Sequence, residues 1–126
     1  MSPRNLYTIF ANHPESQWIM EATNAQILYQ FVKEHKIKRV LDLGTGIGAS
    51  AAFVALALKD KGETDFKIDS VEQTEKCVRI ANQLIPKELK EHINITHSEA
   101  EIIAFEQMPY QFFSSFKEIP QGDYDL

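Results

Sequence analysis

The chain has 126 residues, 44% hydrophobic and 25% charged, with a formal net charge of −5, the make-up of one globular domain with a modest core and not of a disordered or fibrous protein. The acidic balance weighs against a broad electrostatic grip on nucleic acid or on an anionic membrane. One cysteine, Cys77, excludes an internal disulfide and fits a reducing, cytoplasmic compartment.

No apolar stretch is long enough to span a bilayer, the N-terminus lacks a signal-peptide core, and no Cys/His cluster is spaced for a metal, so none is expected. Met1 to Asn12 is ambiguous, its Leu6, Tyr7, Ile9 and Phe10 forming an apolar patch that could be a short helix or a clasp. From Pro14 to His35 the spacing predicts an amphipathic helix: Pro14 suits a first position, and Trp18, Ala22, Ala25, Leu28 or Tyr29, and Val32 recur at three- and four-residue steps. On that reading Trp18 is helix packing. Residues 1–36 are expected to form an N-terminal helical segment and 37–126 the α/β domain proper.

Val40 to Leu43 is a short apolar strand, broken by Gly44, Gly46 and Gly48 and followed by an alanine-rich helix from about Ile47 to Lys59 that is apolar on nearly every face, with Gly62 just beyond its end. Phe66 to Val71 reads as the second strand, closing on Glu72-Gln73. Thr74 is the expected N-cap of a helix that carries Cys77, Ile80, Ala81 and Leu84 on one face and stops at Pro86. Cys77 is expected as a packed thiol. After a polar linker, Lys87 to His92, comes a third strand, Ile93 to Thr96; Ile102, Ile103 and Phe105 suggest a helical turn or two before Pro109, and Phe112, Phe113 and Phe116 an apolar patch. Tyr124-Asp125-Leu126 resembles the opening of a fourth strand. Strands alternating with helices imply a Rossmann-like three-layer α/β/α fold on a parallel sheet with right-handed crossovers. A sheet left at the start of its fourth strand is expected to be the front half of a larger one.

The glycine turn, Gly44-Thr45-Gly46-Ile47-Gly48-Ala49, fits the dinucleotide pattern as well as G-x-G-x-G. Asp42, two residues before the first glycine, separates the two, because a carboxylate there repels a pyrophosphate and suits a ligand bearing an amine or sulfonium. With Asp42-Leu43-Gly44-Thr45-Gly46-Ile47-Gly48 the sequence resembles the class I S-adenosylmethionine-dependent methyltransferases, whose first motif is an acidic residue followed by x-G-x-G-x-G. The resemblance extends to Glu72, at the position where that family holds the two ribose hydroxyls, and to Ser98-Glu99-Ala100, where it frames the adenine. It runs from about Arg39 to Leu126, and implies the front half of a seven-strand methyltransferase sheet with S-adenosyl-L-methionine as cofactor.

The resemblance implies that Asp42, Gly44, Thr45, Gly46, Gly48, Glu72, Gln73, Ser98, Glu99 and Ala100 bind the cofactor. It offers no catalytic residue: in that family the groups orienting the acceptor lie at or beyond the fourth strand, and these 126 residues alone are expected to bind weakly and turn over nothing. The acceptor is left open between small molecules and proteins, with nucleic acid disfavoured by charge. Two alternatives stand beside this reading. One is a nicotinamide-dependent (NAD(P)) oxidoreductase with Glu72 as its ribose acid; the other is a non-catalytic module that assembles, as a homo-oligomer for example, through an open sheet edge.

Overall fold

A computed structural model describes residues 1–104 and 111–126, and for 102–104 and 111–114 it describes the backbone alone. Ser2 caps the first helix, α1 (Pro3–Ala11), by accepting the Asn5 N–H at 3.1 Å, with Pro3 in the first turn where its missing donor costs nothing. The ambiguous N-terminal patch is thus helical, and it buries Leu6 and Phe10. The expected continuous helix from Pro14 to His35 is not formed. A single 3-10 turn spans Ser16–Trp18, Ile19 and Glu21 are extended, and α2 begins only at Ala22 (Ala22–Glu34). The three- and four-residue spacing through Trp18 suits a helix, but in the segment that forms Ile19 and Met20 pack against the core; tertiary contact overrides local periodicity.

The central sheet is parallel, with order β1-β2-β3: β1 (Arg39–Leu43), β2 (Lys67–Glu72) and β3 (Ile93–His97). Asp42 lies opposite Ser70, and Glu72 opposite His97. Between β1 and β2 runs α3 (Ala49–Lys61), buried continuously from Ala51 to Leu58 because α1 and α2 cover one side while β2 and the short α5 (Lys87–Lys90) meet the other. It ends at Gly62, whose φ of 94° lets its own N–H and that of Glu63 reach back to Lys59 O and Leu58 O. Helix α4 (Glu75–Leu84) follows β2 and packs on β2 and β3. Thr74 holds the N-cap position without a side-chain cap bond; Glu72 Oε2 accepts the Thr74 N–H instead, at 2.8 Å. The linker expected to be merely polar contains α5, which buries Leu89. Leu6, Phe10, Ala25, Tyr29 and Val32 from α1 and α2 join Val40, Ile68, Ile93 and the α3 residues in one core. The arrangement is the Rossmann-like three-layer α/β fold on a parallel sheet.

After β3 the expected alternation fails. In place of a helix, β4 (Ala100–Ala104) pairs antiparallel with β5 (Gln111–Phe116) in a separate two-stranded sheet, with Ile102 opposite Phe113 and Ile103 opposite Phe112. Paired β-branched and aromatic positions are what an antiparallel ladder favours, and two adjacent isoleucines carry no helical period. Phe105 and Pro109, the rest of that expected helix, and the side chains of Phe112 and Phe113 lie outside the described residues; Phe116 is buried. The last residues do run beside β1 in the same direction: Asp125 N–H donates to Arg39 O at 2.7 Å and Leu41 N–H to Leu126 O at 2.9 Å. Asp125 Oδ2 also accepts the Lys38 and Arg39 amides at 2.8 and 2.9 Å, which holds its carboxyl below the usual carboxylate range. Among the described residues no helix is long and apolar enough to cross a membrane.

Candidate functional site

Parallel strands bring their carboxyl ends to one edge, and there the turn after β1, Glu72 at the end of β2 and Ser98 after β3 meet. Gly44 and Gly46 have φ of 94° and 54°, a region that L side chains rarely adopt, and a Cβ on either would meet nothing within 4 Å. Gly48 differs. Its φ is 100°, but an added Cβ would lie 2.8 Å from Ile85 Cδ1 and 3.1 Å from Ala81 Cβ, so this glycine lets α3 close on α4 and does not face open space.

The amides of the turn are largely spent inside the protein. Gly44 and Thr45 both donate to Val71 O, at 2.9 and 3.0 Å, Gly48 donates to Thr45 O at 2.9 Å, and Gly46 donates to Glu72 Oε1 at 2.9 Å. A pyrophosphate cradle needs such donors to be free. Glu72, 7% exposed, thus uses one oxygen on the turn and the other on the start of α4; each keeps a lone pair.

Asp42 anchors a second set of bonds beneath the turn. Ser50 Oγ donates to its Oδ1 at 3.0 Å and Ser70 Oγ to its Oδ2 at 2.7 Å, while Thr45 Oγ1 lies 2.5 Å from Ser70 Oγ. Burial pushes the Asp42 carboxyl above the ordinary carboxylate value; the two serine hydroxyls oppose that rise and the nearby Glu72 charge adds to it. Beside the turn lies a cleft of about 270 Å³, lined by Gly44, Thr45, Gly46, Ile47, Ala49 and Ser50 on one side and by Glu15, Trp18, Ile19, Met20 and Cys77 on the other. The N-terminal residues of that wall are held in place where Lys76 Nζ of α4 meets Glu15 Oε1 at 2.5 Å. Trp18, expected as helix packing, is 89% exposed and borders the cleft. Cys77 is only half-buried and also borders it; burial pushes its thiol up, away from nucleophilic use.

The structure therefore brings together Asp42, Gly44, Thr45, Gly46 and Glu72. Gln73 is exposed, and its carbonyl lies 2.9 Å from His97 Nε2. Ser98 is buried next to Glu72, its N–H donating to Glu72 O at 2.9 Å and its Oγ accepting the Glu118 N–H at 2.9 Å. Glu99 points to solvent and pairs with Lys117 Nζ at 2.8 Å, which holds its carboxyl low, and Ala100 opens β4. The sequence reading missed Ser50, Ser70 and the other wall residues, Glu15, Ile19 and Met20; the resemblance implies for Trp18, besides helix packing, an N-terminal segment folded over the cofactor. A signal existed for Ser70, a small hydroxyl in an apolar strand that must pair with the strand of Asp42.

A family model described as protein-L-isoaspartate(D-aspartate) O-methyltransferase (PCMT) matches residues 5–122. Among curated proteins none matches. Of the solved structures, an O-methyltransferase from Bacillus cereus in complex with SAH is similar with a TM-score of 0.62 at 19% identity, over 75% of this chain and 42% of that one. The O-methyltransferase TomG from Streptomyces achromogenes, in complex with SAM, gives 0.62 at 17% identity over 75% and 43%. A protein-L-isoaspartate O-methyltransferase gives 0.51 at 21% over 64% and 24%. At such identities the likeness is one of fold, and the chain spans less than half the length of each of these three structures.

Proposed function

This chain belongs to the protein-L-isoaspartate(D-aspartate) O-methyltransferase family, and on that premise we propose that it is the S-adenosylmethionine-binding portion of a methyltransferase acting on an oxygen acceptor. The observation that carries the reading is the state of the glycine turn: four of its amides are already bonded within the protein, and two carboxylates, Asp42 and Glu72, stand behind it. That arrangement disfavours a pyrophosphate and favours a ligand with positive charge and hydroxyl donors. Nothing in the comparisons supports the oxidoreductase alternative.

S-adenosylmethionine supplies an electrophilic methyl on a sulfonium, and a chain of this kind contributes positioning and exclusion of water. Gly44 and Gly46, with open space at their Cα atoms, let the backbone approach the methionine end. Asp42 sets the negative potential of that end from behind the wall. Glu72, with a lone pair spare on each oxygen, would hold the ribose hydroxyls, and Gln73, Ser98, Glu99 and Ala100, after the ends of β2 and β3, would frame the adenine. Gly48 serves the same site indirectly, by seating α3 on α4. Residues 37–126 form the cofactor domain, and 1–36 a helical segment that walls the cleft with Trp18, Ile19 and Met20. The acidic balance supports a small molecule or a protein as acceptor in preference to nucleic acid, and the lone cysteine supports a cytoplasmic setting. No side chain of this chain is assigned as catalytic base.

Calorimetric titration with S-adenosylhomocysteine and with NAD tests the proposal. Binding of the sulfur compound alone is expected; NAD binding without response to it reverses the reading.

A further inference from the structure

We infer that Ser70, which does not itself reach the cleft, fixes the direction of the hydrogen bonds behind it, so that Thr45 Oγ1 offers the ligand lone pairs and no proton and selects a primary ammonium. This rests on the reading of the cleft as an S-adenosylmethionine site, and it moves recognition of the amine from the aspartate to a threonine set by a buried serine.

While Asp42 is ionised its carboxylate only accepts, so Ser70, fully buried in β2, spends its one hydroxyl proton on Asp42 Oδ2, 2.7 Å away. Ser70 Oγ then has only lone pairs to give Thr45 Oγ1 at 2.5 Å, and Thr45 must be the donor of that bond. What remains on Thr45, a residue 3% exposed that nonetheless borders the cleft, is acceptor capacity alone. Ser50, on the same wall, has likewise given its proton to Asp42 Oδ1 at 3.0 Å. The facing wall adds the Glu15 carboxylate, already paired with Lys76 Nζ at 2.5 Å, and among the described residues that line the cleft none is cationic; the turn amides of Gly44, Thr45, Gly46 and Gly48 are occupied. A group that brings N–H donors and positive charge finds acceptors here, whereas a phosphate finds no hydroxyl proton on this wall. The chain Thr45 to Ser70 to Asp42 also polarises cooperatively, each bond strengthening the next, so the buried charge is felt at Thr45 Oγ1.

The test is calorimetric titration of the wild-type chain, Ser70→Ala, Thr45→Val and Thr45→Ser with S-adenosylhomocysteine and with its desamino analogue, in which hydrogen replaces the amino group. The wild type should prefer the amine-bearing compound by roughly tenfold to a hundredfold, the span expected for a hydrogen bond to a charged group. Ser70→Ala and Thr45→Val should erase that preference by weakening the amine-bearing compound more than the desamino compound, and Thr45→Ser, which keeps the hydroxyl, should retain it. Equal weakening of both compounds by Ser70→Ala and Thr45→Val, or preference intact in both, overturns the inference while the cofactor reading stands. If the folded wild type binds neither compound, the cofactor reading itself falls, and this inference with it. Should Ser70→Ala fail to fold, the two Thr45 variants decide alone.

Discussion

Gly48→Ala isolates the part of the glycine turn that serves packing from the part with open space at its Cα atoms. At φ of 100° an alanine is strained, by about 1–2 kcal/mol. Its methyl would also arrive 2.8 Å from Ile85 Cδ1, 2.9 Å from Ile85 Cγ1 and 3.1 Å from Ala81 Cβ, all closer than side-chain carbons pack. Ile85 can swing its end away, but Ala81 moves only with the axis of α4, and overpacking of this kind costs about 1–3 kcal/mol. The two contributions sum to about 2–5 kcal/mol, a large share of the stability of a domain this size. Gly44→Ala meets the same backbone strain, at φ of 94°, with nothing within 4 Å, so it should cost only the first part. In urea unfolding followed by circular dichroism, with a slope of about 2 kcal/mol per molar, Gly48→Ala should lower the midpoint by roughly 1–2.5 M and Gly44→Ala by about half that or less. Ile85→Ala in the Gly48→Ala background should recover part of the loss as a favourable coupling. Equal midpoints for the two glycine variants, or a larger loss at Gly44, would refute the division of roles.

Glu72→Gln keeps the shape but turns an amide NH₂ toward either the Gly46 or the Thr74 N–H; it should destabilise the chain by about 1–3 kcal/mol in the same unfolding assay, and unchanged stability would show that the carboxylate does not hold the turn. Trp18 is the sole tryptophan and is 89% exposed at the cleft, so its emission should begin water-like and shift to shorter wavelength or quench on adding S-adenosylhomocysteine; a spectrum indifferent to saturating ligand removes Trp18 from the site. Asp42 supplies a pH dependence. Its folded value is raised above 3.8 by burial and by Glu72, so the folded chain holds that proton longer than the unfolded one and loses stability as pH rises from 3.8 through the folded value. A bound ammonium favours the ionised form, so binding should release a proton and affinity should fall as pH is lowered into that window. Calorimetry in two buffers of different ionisation heat measures this, and proton uptake, or affinity independent of pH, counts against a cation at the turn.

Much of this was legible in the chain because the signals were local. Val40 to Leu43 must be a strand, three glycines must turn it, and an alanine-rich run must be a buried helix, since each follows from backbone sterics and apolar period within a dozen residues. Asp42 and Glu72 could be singled out because a carboxylate in an apolar strand or at its end needs a reason. What failed were inferences in which a period had two solutions. The Trp18 spacing suited a helix and became a wall, with Ile19 and Met20 packed against the core, and Ile102-Ile103 became an antiparallel strand because a partner existed at Phe112-Phe113. The sequence by itself determined the turn, its acidic neighbours and the charge of the ligand they suit. Only the tertiary structure decided which donors were already spent, that a side chain at Gly48 would meet α4, and that Ser70 stands between Asp42 and Thr45, because hydrogen-bond partners across strands are set by register and packing between segments distant in the chain.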